Sequence, residues 1–281
     1  MEHAEFTVSD GTQIFYRRSA GAPGTPLPTL VLIHGWGNSG RYFDSCIEHL
    51  LSAGVPLLVP DQRFHGRSGK PAHGLHVARL AADVHELMIG LGVSGAVLVG
   101  TSMGCAVIWC LHELFGLRAS GLAAGCVFVD QAPMQNKVEG WDLGGKHCYD
   151  AASLAALQAK LKRSVAEFAA VNVAGCLSKP IPAATRELLM AEMILCDGGQ
   201  LGTLMADHTQ LDHRATLPTI DVPCLCLVGG GSGRFPVEGS REVARLVPAC
   251  REDVWEGCNH WLYIEEPRRF ADALQGFART L

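Results

Sequence analysis

The sequence lacks the features that would mark a nucleic-acid, membrane or small disulfide protein. Its 281 residues carry a formal net charge of −5 and no dense Lys/Arg block, so phosphates meet no electrostatic footprint and nucleic acid is not an expected partner. No stretch reaches the ~20 apolar residues that span a bilayer. The opening MEHAEFTVSDGTQIFYRR has no basic segment followed by an apolar one, so the expectation is a soluble, cytoplasmic protein with no membrane contact. Eleven cysteines is an odd count without zinc-like spacing, in a chain too long for a disulfide scaffold, and reduced thiols are expected. No run matches a ligand pattern such as H-E-x-x-H. Asp207 and Asp212 in MADHTQLDHR therefore read as lid-surface or domain-joining charges, and with His208 and His213 they match no metal-ligand spacing, so neither metal nor cofactor is expected. Internal repeats and low-complexity segments are also missing.

What is present is apolar residue, 48% of the chain, enough for one large α/β domain with an insertion. AEFTVSD and TQIFYRR flank Gly11 as a hairpin. Then come compact apolar runs: LPTLVLIHGWG, GVPLLVPDQRFHGRS, SGAVLVGTSMG, GCVFVDQAP, VPCLCLVGGG and REDVWEGCNH. Continuous runs without alternation suit strands buried on both faces, as in a parallel sheet covered by helices. Cys224 and Cys226, two apart on such a strand, would share one buried face. Between the runs lie helical stretches, for example Val77, Leu80, Val84, Leu87 and Leu91 at steps of three and four. The alternation predicts right-handed βαβ units.

That alternation is interrupted. After Asp150, an N-cap residue, Leu154, Leu157, Leu161, Val165 and Phe168 form one helical stripe, and AATRELLMAEMILC and GQLGTLMADH read as two more short helices. The organisation predicted is a sheet domain over 1–133 and 214–281 with an inserted helical lid over 134–213.

LVGTSMGCAVIW sets Ser102 between Gly100 and Gly104. The pattern G-x-S-x-G would occur about 0.2 times by chance at this composition, so context has to decide. Strand before and helix after is the setting of a nucleophile elbow, where side chains two residues either side of the serine would crowd it. The helix start leaves the Met103 N–H free for an oxyanion. A serine needs a base, and His260, beyond the last strand, is placed for it in the chain order of such enzymes. In LIHGWG, Gly35 lets the backbone approach and leaves the Trp36 N–H as second donor, while His34 reads as a structural residue.

HGWG, DQRFHGRS, GTSMGC and GCNHW, in this order and spacing, resemble the α/β-hydrolase family over nearly the whole chain. The resemblance implies an eight-stranded, mostly parallel sheet with Ser102 at the elbow, His260 on the last loop, Trp36 and Met103 as amide donors, and Asp61, Arg63 and Ser68 in a structural loop. The chain departs from the pattern at the triad acid. Most relatives place it after the strand before last, but LVGGGSGRFPVEG holds no Asp, only Ser232 and Gly233, with Glu238 beyond a proline. Asp130 ends the strand CVFVD, about 4.8 Å across the sheet from its neighbour, at the edge where active sites of open sheets lie. Some relatives place the acid there. Asp130 is thus the expected acid and Glu238 the alternative, because an imidazole without an orienting carboxylate loses about 10⁴-fold in rate.

The chemistry expected is acyl transfer to Ser102 from a small, largely apolar or aromatic ester, in a pocket lined by Trp36, Met103, Trp141 and Trp261. Trp after His-Gly and the shifted acid also resemble cofactor-independent dioxygenases, in which a His/Asp dyad deprotonates a hydroxylated N-heteroaromatic that reacts with O₂. Non-heme haloperoxidase-like perhydrolases share the His-Gly-Trp start. A third class, a hydrolase-like ligand receptor, can keep the triad without turnover.

Overall fold

The computed structural model describes residues 1–281. The N-terminal hairpin forms as β1 (Glu2–Thr7) and β2 (Gln13–Ser19), antiparallel about Gly11. The apolar runs become β3 (Leu30–Ile33), β4 (Leu57–Pro60), β5 (Ala96–Thr101), β6 (Ala123–Val129), β7 (Cys224–Gly229) and β8 (Cys250–Trp255). One eight-stranded sheet results, in the order β1-β2-β4-β3-β5-β6-β7-β8, and every pairing from β4 to β8 is parallel.

Alternate residues of the central strands feed separate cores. Val31, Ile33, Leu98 and Phe128 join one face, packed under α2 (Val77–Gly90) and α3 (Met103–Phe115). Leu30, Leu32, Val97, Val99 and Val127 join the other, with Leu50 of α1 (Asp44–Ser52). Apolar residue on both faces is why the strands read as unbroken runs. Cys224 and Cys226 fall on the same face, as the alternation predicts. All eleven cysteines are free thiols and only Cys250 is not buried.

Between β6 and β7 the chain leaves the sheet and forms α4 (Ala151–Arg163), α5 (Val165–Gly175), α6 (Ala183–Ile194) and α7 (Gly198–Gln210). Asp150 caps α4 by accepting from the Ser153 N–H. The single stripe read over 154–168 is two helices. Ser164 is extended (φ −165°, ψ 112°), and its Oγ accepts from the Glu167 N–H, so it ends α4 and caps α5. Leu161, Ala169, Met193, Cys196 and Leu201 form a small core among these helices. Bonds to the sheet domain hold them: Tyr42 Oη donates to the Leu189 carbonyl (2.6 Å), and Asp207 accepts from the Val77 N–H at the start of α2 (2.8 Å). After β7 come α8 (Val237–Leu246), and after β8 α9 (Leu262–Glu265) and α10 (Pro267–Ala278). No helix is long and apolar enough to cross a membrane.

Candidate active site

Register brings three loops to one edge of the sheet. Ile33 pairs with Gly100, and Thr101 with Val129, so the residues after β3, β5 and β6 emerge side by side. Ser102 turns sharply from β5 into α3 with φ 53° and ψ −125°, a backbone conformation that costs a non-glycine residue of order 1–3 kcal/mol. Close packing around it explains the flanking glycines. A Cβ on Gly100 would lie 2.5 Å from the Gly104 carbonyl oxygen, and one on Gly104 2.3 Å from that of Ile33. Gly35 is less confined, since its Cβ would sit 3.1 Å from Ser102 Cβ, a tight contact rather than a clash. The Trp36 N–H donates to no protein carbonyl, and Met103, first in its helix, has no helical carbonyl four residues back, since Val99 lies in β5.

Asp130 follows β6 with φ 48° and is completely buried. His260 Nδ1 donates to its Oδ2 at 2.6 Å, which fixes the imidazole tautomer and leaves a lone pair on Nε2. Ser232 Oγ donates to the same oxygen at 2.6 Å, while Ser240 Oγ (3.1 Å) and the Gly229 N–H (3.2 Å) donate to Oδ1. Asn259 Oδ1 accepts from the N–H groups of His260 and Gly233, tying the histidine loop to the loop after β7. Ser232, on the loop after β7, thus donates to the carboxylate that follows β6. Glu238, the alternative acid, is elsewhere: it lies exposed on α8, paired with Arg241 and Arg245, which hold its carboxyl below the usual range.

Ser102 and His260 line one cavity of about 420 Å³, together with Trp36, Met103 and Trp261. Phe168, Val171 and Met205 of the inserted helices line it from the other side. Ser102 Oγ makes no hydrogen bond to the imidazole in this resting structure. Trp141, expected in the pocket, does not line it. Its ring packs with Ala132 and Phe235, and its Nε1 donates to the Met134 carbonyl, because the segment after β6 folds back on itself there. The Trp36 indole donates to the Leu201 carbonyl at 2.9 Å, so the loop after β3 is tied to α7.

The loop after β4 and His34 after β3 are bonded into the fold. His34 Nε2 accepts from the Gln62 N–H, and His65 Nε2 from the Gly37 N–H. Burial lowers His34 to about 4; burial, with His34 beside it, lowers His65 to about 3. Asp61 accepts from the Gly40 and Arg67 N–H groups, and buried Arg63 pairs with Asp83 and Asp10. Ser68 Oγ donates to the Asp61 carbonyl. His208 lines the cavity with Nδ1 unbonded, lowered by burial to about 4. Asp212 pairs with Arg214, and Asp207 with His76. Cys110 and Glu113 of α3 converge with His213 within 4.8 Å, and none of the three lines this cavity.

The geometry has counterparts. The alpha/beta hydrolase family model matches residues 30–273. A non-heme chloroperoxidase from Streptomyces lividans is 40% identical over 98 residues, 35% of this chain and 34% of that relative, so the match spans about a third of it. The sn-1-specific diacylglycerol lipase ABHD11 of Mus musculus is 28% identical over 266 residues, 89% of this chain and 81% of that relative. An esterase from Exiguobacterium antarcticum superposes with a TM-score of 0.91 over 99% of this chain and 100% of its own, at 20% identity, a likeness of fold. From strand order, elbow and family match together, the chain belongs to the alpha/beta hydrolase family.

Proposed function

We propose that this chain is a serine hydrolase that cleaves a small, largely apolar or aromatic carboxylic ester through an acyl-enzyme. Ser102 Oγ attacks the carbonyl carbon and its proton passes to His260 Nε2. The oxyanion accepts from the amides of Trp36 and Met103. Collapse breaks the ester C–O bond, and the imidazolium protonates the leaving alkoxide. Water then adds with His260 as base, releasing the acid and restoring Ser102. Asp130 keeps the proton on Nδ1 and balances the imidazolium charge. Helices α4 to α7 serve as the lid that shapes the pocket.

The observation that carries this reading is the 2.6 Å His260–Asp130 bond behind a cavity onto which Ser102 opens. A serine–imidazole bond that forms only with substrate bound is usual for such sites. Membership of a family that includes a diacylglycerol lipase supports ester chemistry. A fluorophosphonate probe and a panel of p-nitrophenyl esters test it. Wild type is expected to label and turn over, and Ser102→Ala to do neither; unlabelled wild type, or turnover surviving the substitution, overturns the assignment. The dyad is complete without Ser102, which favours one second reading, the cofactor-independent dioxygenase. Oxygen uptake with a hydroxyquinolone, undiminished in Ser102→Ala, would establish it instead.

A further inference from the structure

The cavity has an uneven charge. Lys160 and Arg234 line it, with His147 and His208, and no Asp or Glu does. Arg234, half-buried on the loop after β7, spends its bonds on neutral groups. Nε donates to Cys176 Sγ (3.0 Å), and Nη2 to the Asn172 carbonyl (3.1 Å) and Asn172 Oδ1 (2.9 Å). These bonds fix the guanidinium and leave Nη1 without a protein partner. The residue is also close to the chemistry: its N–H donates to Ser232 Oγ, which holds Asp130, and the adjacent Phe235 ring packs 5.9 Å from that of His260.

A partly desolvated, oriented cation with no counter-ion is a preformed anion site, because the charge has already lost water and the geometry is already fixed. We infer that the ester this cavity accepts carries an ionised carboxylate, bound by Arg234 Nη1 with Lys160 reinforcing it from α4. The inference rests on the hydrolase reading and narrows its substrate class to esters of dicarboxylic acids and similar anionic esters. One free nitrogen arm matches a singly charged carboxylate. Burial and the cations Arg234, Lys146 and Lys160 together hold His147 below its ordinary value, consistent with a positive field at this end of the cavity.

The test compares kcat/KM for two p-nitrophenyl esters of equal acyl length, the adipate monoester and the hexanoate. Arg234→Met is expected to lower the adipate-to-hexanoate ratio about 10- to 100-fold, the size of a charged hydrogen bond, mainly through KM. Arg234→Lys should recover part of the ratio. Lys160→Met, on the exposed side, should lower it a few-fold at low salt and less at 0.5 M salt. Calorimetric titration of adipate into Ser102→Ala reads the subsite without turnover, and binding there should weaken on adding Arg234→Met. A ratio that Arg234→Met leaves unmoved, or adipate binding indifferent to it, overturns the carboxylate site while labelling by fluorophosphonate keeps the hydrolase standing. Absent labelling with Arg234-dependent adipate binding sinks the hydrolase reading alone.

Discussion

Asp130 is held by four donors in a buried pocket, and its worth is set by what each donor supplies. Asp130→Asn keeps the shape but offers an amide where hydroxyls donate and stabilises the wrong imidazole tautomer. Turnover of p-nitrophenyl esters should fall by about 10⁴-fold. Glu238→Gln, on the solvent face of α8, should leave kcat/KM within about twofold, and a loss comparable to that of Asp130→Asn would reverse the assignment of the acid. Ser232→Ala removes a hydroxyl from a buried carboxylate and should cost about 1–3 kcal/mol in urea unfolding. Asp130 was legible as a candidate because it ends an apolar run. Ser232, Ser240 and Asn259 were not, since a serine or asparagine declares itself a donor or acceptor to an acid only once the acid's loop is known. Arg234 was hidden for a related reason: sequence shows a charge but not whether a partner neutralises it.

At the scale of elements, the elbow depends on absent side chains. Gly104→Ala would drive a methyl into the Ile33 carbonyl, where neither backbone segment can yield, and should destabilise by on the order of 3 kcal/mol by chemical denaturation. An unaltered unfolding midpoint would mean that α3 can shift away from β3, and that the approach is looser than its geometry. Strands were readable because burial on both faces leaves no polar residue to interrupt them. The break at Ser164 was not, because Leu161, Val165 and Phe168 keep helical spacing across it, while the interruption comes from one hydroxyl capping the next helix. Trp141 shows the limit of aromatic content as a pocket signal: its ring has the same composition whether it faces a cavity or a neighbouring phenyl, and here Phe235 and the Arg214 guanidinium cover it.

Across the whole molecule, three buried histidines set the response to acid. His34 and His208 sit near 4 and His65 near 3, all below the ordinary 6.5. Their neutral forms belong to the folded state, so their contribution is complete above about pH 6.5. It is lost as pH falls through 6.5 toward 4 and 3, because the unfolded chain takes up protons first. Each lowers stability by up to about 1.4 kcal/mol per pH unit in that window. Asp61 and Asp83, raised by burial, act with the opposite sign and recover some stability at lower pH. Urea midpoints should therefore decline from pH 6.5 to 5, before most carboxylates titrate, and His65→Gln should flatten the decline; a level profile would show that water reaches these rings. The sheet order and the elbow could be anticipated from the chain, but this acid response could not, since nothing in a sequence says which imidazoles lose their water.

Ten sulfhydryls shut away in the fold, most with ionisation pushed upward by burial, have an experimental consequence. A thiol-specific dye added to the native enzyme finds no ready thiolate, since burial pushes even the half-exposed Cys250 thiol upward, and most equivalents have to wait for a door to open. The rate of that slow labelling is a stopwatch for unfolding, built into the protein without a single engineered reporter.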